Sequence, residues 1–291
     1  MSPADLINPL VAITLVELML AIGLAASPGD VFRVARDPRL LARAVAANYV
    51  VVPAIAVLML LNLRPDPLVA AGFLIAAVCP GAPYGPPFTT AAKGNNAVAV
   101  GLMIVLAASS AVVAPLLLKL CLPLVAGSGD VGFDVARMIV TLFVVQLLPL
   151  CIGLLTRQKL PRLADRIVWP ATYLSGVLNF ALIVLIVVVH FPTLATLRPQ
   201  GYGGMTILVL AAVAAGWLLG TPGAENRRAM AITTAIRNVG VALVIATGSF
   251  PDTPAVSATV AFAIFQTALM AVVATLWGRL PIAPKSSAGP E

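Results

Sequence analysis

The chain has 291 residues, of which 60% are hydrophobic and 10% charged, with a mean hydropathy of +1.04 and a formal net charge of +7. A water-soluble domain carries close to a quarter charged residues. The composition therefore excludes a soluble enzyme or a nucleic-acid-binding module and reads as an integral membrane protein, whose positive charge fits basic loops on one membrane face.

The apolar runs approach the roughly twenty residues that a helix needs to cross a hydrocarbon core. No ten-residue alternating strands occur, so an all-α bundle is expected and a barrel is not. In chain order, nine spans are expected at roughly 6–26, 40–62, 67–92, 95–125, 135–156, 168–191, 203–221, 229–250 and 254–279. The first run is long and lacks a basic leader, so it reads as a span and not as a cleavable signal. Connections are short, which leaves one membrane domain over 1–291, and Pro281–Glu291 reads as a disordered tail. Cys79, Cys121 and Cys151 lie scattered in apolar runs without CxxC pairing and read as inert thiols.

Basic residues alternate between connections. Arg33, Arg36, Arg39 and Arg43 follow the first span, Lys93 the third, and Arg157, Lys159, Arg162 and Arg166 the fifth. Arg227 and Arg228 follow the seventh, and Arg279 and Lys285 follow the last. The intervening connections hold only Arg64, Lys119, Arg137 and Arg198. The positive-inside rule then places the N-terminus outside and the C-terminus in the cytoplasm, in a membrane of the bacterial inner (plasma) type.

Two spans are irregular. The third contains VCPGAPYGPPFTTAAKGNN, with Pro80, Pro83, Pro86 and Pro87 and glycines at 81 and 85. Proline removes a backbone donor and clashes with the preceding turn, so no continuous helix runs through this stretch. In lipid, such a break survives only where it is buried or lines a cavity. The eighth span has Asn238 and Gly240 beside Arg237. Spans 2–4 and 7–9 thus read as halves of an inverted repeat, and paired broken helices point to the midplane site of a secondary transporter.

Arg237 sits at mid-depth, where an arginine costs about 2.5–3.5 kcal/mol on insertion scales. It reads as a built-in counter-ion or as a direct anchor for an anionic substrate; snorkelling to an interface is the bland alternative. Glu17 is the one acid well inside a span. It reads as a partner for Arg237, as a proton-coupling site, or as a carboxyl without a transport role. Asn48, Thr89, Thr90, Asn95, Thr233, Thr234 and Asn238 either satisfy freed backbone or touch substrate. Asn179 and Gln266 are buried amides open to either role.

The chain resembles the bile acid:sodium symporter family. The stretches that carry the resemblance are LMLAIGLAASPGDVFRVARDPRLL, ANYVVVP at 47–53, CPG at 79–81 with KGN at 93–95, IRNVGVAL at 236–243, and ATLW at 274–277. The resemblance implies a core of roughly 40–125 and 203–279 and a panel of roughly 6–26 and 135–191, with substrate between them. It also implies two sodium ions behind the crossing helices. The Ser-Asn pair of the first sodium site falls on Gly85 and Pro86, its two hydroxyl ligands on Ala99 and Met103, and the shared glutamate on Thr233. The second site keeps an amide at Asn48, but its other amide falls on Arg237, a permanent cation. Four of these positions offer no side-chain oxygen, and a cation beside sodium in low dielectric repels it. The equivalents that remain are Asn48, Thr233 and Arg237, and Arg237 is expected to replace the second sodium.

The expected function is secondary transport of a small organic anion by alternating access, with lipid as surroundings, no resident cofactor and no nucleic-acid partner. The alternatives are a membrane sensor or scaffold of the same fold, and a metalloid exporter that uses Cys79. HExxH, GxSG and paired intramembrane aspartates are absent from the sequence, so no enzyme is expected.

Overall fold

A computed structural model describes residues 3–126, 133–195 and 199–281, and the described residues form helices without strands. The elements are α1 (Pro3–Ala25), α2 (Pro28–Ala35), α3 (Pro38–Val45), α4 (Val52–Leu63), α5 (Pro67–Val78), α6 (Gly85–Ala91) and α7 (Asn96–Ala126). They continue with α8 (Val135–Leu142), α9 (Leu148–Lys159), α10 (Pro161–Ala195), α11 (Pro199–Leu219), α12 (Ala224–Ala235), α13 (Val239–Ser249) and α14 (Pro254–Arg279). The tail expected to be disordered lies almost wholly outside the described residues.

Many of the prolines begin helices instead of breaking them. Pro28, Pro38, Pro67 and Pro254 each open a helix, where the missing N–H costs nothing. Asp37 and Asp66 cap two of these starts by accepting from Leu40 N and Leu68 N, each at 2.9 Å. Pro53 and Pro149 instead lie in long helices, and each follows a widened π-helical turn, Ala46–Val51 and Phe143–Leu147. The widened turn absorbs the lost hydrogen bond of the proline. Each of these turns also aims one fully buried amide inward, Asn48 in the first and Gln146 in the second.

Seven helical stretches are long and apolar enough to cross a bilayer, or eight if the bent pair Pro9–Ala25 and Pro28–Ala35 counts as one. The expectation of nine spans is therefore not met on length and composition alone. With the bent pair counted as the first span, the shortfall lies at the expected third span. Its 12-residue α5 rises only about 18 Å at 1.5 Å per residue, and the proline-glycine break divides it from α6. The first basic connection also differs from a loop. It is the helix α2, bent 92° from α1, and its Val34 occupies the space that a Cβ on Gly101 of α7 would need.

Packing sorts the helices by burial. The α12–α13 stretch has 89% of its spanning window buried, against 12% for α10. The broken element is thus at the centre of the bundle. Around it pack α5, α7, α11 and α14, while α1 packs chiefly on α9 and α10. Gly23 and Gly153 let α1 and α9 touch backbone to backbone, since a Cβ on Gly153 would lie 2.5 Å from the Leu20 carbonyl oxygen.

Candidate functional site

The two breaks meet. Residues Cys79–Tyr84 separate α5 from α6, and Ile236–Asn238 separate α12 from α13. Across the crossing, Asn238 N donates to the Cys79 carbonyl at 2.7 Å and Asn238 Nδ2 to the Gly81 carbonyl at 3.0 Å. Asn238 also caps α13 by accepting from Val241 N at 3.2 Å. Gly81 has φ of +81°, and a Cβ there would stand 2.3 Å from Ala107 N of α7. Only glycine fits that backbone.

The C-terminal ends of α5 and α12 both stop at this point, with carbonyl groups that have no partner in their own helix. Such ends carry partial negative charge. Arg237 lies between them, 2% exposed. Its Nη2 donates to the Ala77 carbonyl at 2.6 Å, and its Nη1 donates to Asn48 Oδ1 at 2.8 Å and the Thr234 carbonyl at 3.0 Å. Two longer bonds, Nε to the Ala76 carbonyl and Nη2 to the Asn48 carbonyl, both 3.5 Å, complete the set. A guanidinium has five N–H donors, and all of them are spent on the protein. Gln266 of α14 holds the backbone of the same residue, accepting from Arg237 N at 3.0 Å and donating to its carbonyl at 3.1 Å.

In this geometry Arg237 has no donor free and lines neither of the two cavities described below. Nor is it paired with Glu17. Among the described residues no ion pair joins them, and Glu17 of α1 accepts from Ser175 of α10. Snorkelling is excluded by the burial. What stands is a fixed cation at the junction of two helix C-termini.

The same geometry bears on sodium. The place between Asn48 and the two helix ends is filled by the guanidinium. Gly85, Pro86, Ala99 and Met103 supply no side-chain oxygen, and Thr233 Oγ1 is buried without a partner. One orphaned hydroxyl does not make the oxygen cage that a hard cation needs. The residues present do not fit the two ions that the resemblance implies.

The other expected site residues divide by role. Asn48 Nδ2 donates to the Ala44 carbonyl and to Thr234 Oγ1, so both side chains brace Arg237. Thr89 and Thr90 donate back to the Gly85 and Pro86 carbonyls of their own helix. Asn95 joins the turn before α7 to the start of α12, donating to Asn226 Oδ1 at 2.9 Å. Cys79 is buried at the crossing and lines neither cavity.

Two cavities flank the crossing on the side of α1 and α10. The first, of about 390 Å³, is bounded by Thr14, Leu15, Asn179, Gly240, Leu243 and Thr267, among others. The second, of about 380 Å³, is bounded by Ile22, Pro86, Pro87, Met103, Thr172 and Ser175, among others. Leu18 and Tyr84 belong to both walls. Among the described residues no charged side chain lines either cavity, and of the expected positions Asn179 lines the first and Pro86 and Met103 the second. The end of α6 that faces them is chemically quiet: Pro86 and Pro87 have no N–H, while Gly85 N and Phe88 N donate to the Ala82 and Tyr84 carbonyls.

Sequence reasoning passed over Tyr84 and Thr14. Tyr84 donates or accepts no charge and sits inside a proline-rich run that reads as a simple break. In the fold it is hydrogen-bonded by Asn179 of α10. Thr14 is 3% exposed, its hydroxyl has no partner, and it lines the first cavity.

Residues 12–197 match the model of the Sodium Bile acid symporter family. The chain is 31% identical over 161 residues to the probable sodium/metabolite cotransporter BASS2, chloroplastic, of rice, a match that covers 55% of this chain and 37% of the rice protein. It is 23% identical over 284 residues to the uncharacterized sodium-dependent transporter YocS of Bacillus subtilis, covering 94% of this chain and 84% of that one. The chain thus spans little more than a third of the rice protein's length.

Proposed function

We propose, because the chain belongs to the sodium bile acid symporter family, that it is a secondary transporter of a small organic solute in which Arg237 takes the place of a bound sodium ion. Members of this family are transporters, and the apolar helices make this chain an integral membrane protein. The path we assign runs between a panel of α1, α8, α9 and α10 and a core of the remaining helices, by alternating access. The core's two halves, each with a broken helix, are related as an inverted repeat, and the basic connections face the cytoplasm.

One observation carries the reading of Arg237. All five of its N–H groups are bonded to acceptors at the ends of α5 and α12 and on the turn at Asn48. Two cations a few ångströms apart at low dielectric repel by many kcal/mol, so sodium cannot bind beside it. A side chain cannot be exchanged with the solution, so this charge stabilises the crossing in every state and couples to no gradient.

The solute class rests on the cavities and on the relatives. Apolar walls with a few hydroxyl and amide groups suit a molecule with an apolar body and one hydrogen-bonding group. Organic anions remain the first class to test, since the family is named for bile acids and the rice relative for metabolites. Their recognition would have to come from hydroxyls, amides and helix ends, because among the described residues no cationic side chain lines the cavities.

The test is uptake by the purified protein in proteoliposomes, over a panel of carboxylated and sulfonated solutes. Replacing sodium by potassium should change the rate by less than about twofold. Strict dependence on sodium would overturn the role given to Arg237. Loss of uptake on collapsing a proton gradient would make Glu17, held by Ser175 at the wall of the second cavity, the coupling residue.

A further inference from the structure

The two cavities lie end to end along α1 and α10 and share Leu18 and Tyr84 in their walls. Along α1 the first cavity takes Val11, Thr14, Leu15 and Leu18, and the second takes Leu18, Ala21, Ile22 and Ala25. Along the antiparallel α10 the order is reversed, with Asn179 and Leu182 on the first and Thr172, Ser175 and Gly176 on the second. From Val11 to Ala25 a helix rises about 21 Å, most of a hydrocarbon core of roughly 30 Å. Opposite, the first cavity is walled by α13 and α14, and the second by α6 and α7. Each cavity therefore faces one of the two half-helices that leave the crossing.

What divides them is a narrow set of side chains. Leu18 of α1 and Tyr84 of the break before α6 are shared by both walls, and Asn179 of α10 bonds the Tyr84 hydroxyl. Tyr84 is half-buried, with its ring available to both cavities. Its position is set by the crossing and its tip is held by α10. Any shift of the crossing against α1 and α10 must break or remake that bond.

We propose that Tyr84, seated against Leu18 and held by Asn179, is the barrier that separates two opposite-facing halves of a solute path, and that it contacts the solute as it passes. This deepens the transport reading and rests on it for the nature of what passes. Thr14 fits the same picture. It lines the first cavity about one helical turn from Leu18, and its hydroxyl is buried beside that cavity without a partner.

The barrier can be probed without knowing the solute. Thr267→Cys places a thiol in the first cavity and Thr172→Cys in the second; both positions are exposed. They are made separately in the full chain with Cys121→Ser and Cys151→Ser, leaving Cys79 buried. A membrane-impermeant methanethiosulfonate is applied to intact cells and to inverted vesicles. Each thiol should react at least tenfold faster from one side, and the two from opposite sides. Adding Tyr84→Ala should make both thiols react within about threefold from either side. Adding Leu18→Ala, a milder loss, should raise the rate from the blocked side at least threefold. Adding Tyr84→Phe, which keeps the ring and loses the bond, should preserve sidedness. Reaction of both thiols from the same side, or sidedness that survives Tyr84→Ala and Leu18→Ala alike, would overturn the proposal. Since labelling needs no substrate, a failure of uptake strikes the transport reading and leaves this measurement intact.

Discussion

Arg237 shows how one buried charge is made tolerable by backbone alone. No acid neutralises it; its three short bonds go to two main-chain carbonyls and one amide oxygen. Removing the guanidinium leaves its buried acceptors unsatisfied, at about 1–3 kcal/mol for each that finds no other donor. We expect Arg237→Ala to lower stability by that order in a thermal or detergent-denaturation assay. Arg237→Lys should recover less than half of it, since an ammonium is a point donor that does not span acceptors on three elements. Full stability in Arg237→Ala would mean that the charge is dispensable at the crossing. The depth of Arg237 was legible from the sequence, because position in an apolar run gives depth. Its partners were not: carbonyls at Ala76, Ala77 and Thr234 carry no side-chain signature, and Asn48 lies 189 residues away. Thr14 and Tyr84 were missed for a related reason. A threonine in an apolar helix ordinarily bonds its own backbone, and only the fold shows that this one does not.

At the scale of elements, punctuation in the sequence decided what was visible. Prolines and glycines between 80 and 87 announced the first break, and the Asn238–Gly240 pair beside Arg237 the second. The two π-helical turns were hidden, because a widened turn keeps the apolar composition of its helix. Yet each sits just before a proline, Pro53 or Pro149, and each exposes one amide to the interior. Gln146 uses its amide to reach the Ala107 carbonyl and Ser110 Oγ of α7, while Asn48 holds Arg237. The arginines of α2 give it the composition of a loop, although Ser27-Pro28 is a fair helix start. Gly81 gives the sharpest test of the break. In Gly81→Ala the backbone must keep a left-handed φ, which costs about 1–2 kcal/mol, and the new Cβ meets backbone of α7 that cannot move aside. We expect a loss above about 2 kcal/mol, or failure to accumulate. Gly176→Ala on α10 is the control: nothing lies within 4 Å of its Cβ, and replacing a helical glycine by alanine should be neutral or stabilise by up to about 1 kcal/mol. Equal effects of the two would show that the crossing is not rigid.

The whole molecule is a bundle whose most buried element is interrupted, with a small set of helices laid against the interruption. Which face of α1 meets the crossing was not legible, because the helix is apolar nearly all round and gives no moment to read. The fold supplies the answer through small residues and cavities. Gly240, at the start of α13, brings that half-helix against α1, where a Cβ would come within 3.1 Å of Leu15 Cδ1. This contact is one of the places where the crossing touches α1, and it borders the first cavity. If α1 and α10 move against the crossing as a unit, linking these two positions must stop the cycle while leaving the fold intact. We expect Leu15→Cys with Gly240→Cys, in the background without Cys121 and Cys151, to lose at least tenfold of its uptake after treatment with a short bifunctional methanethiosulfonate. Reductant should restore it, and neither single variant should respond to the reagent by more than about twofold. Uptake that continues after the link is shown by mass shift of the intact protein would mean that solute crosses without relative motion of these helices. The alternating-access reading would then give way to a channel through the same two cavities, with Tyr84 opening alone.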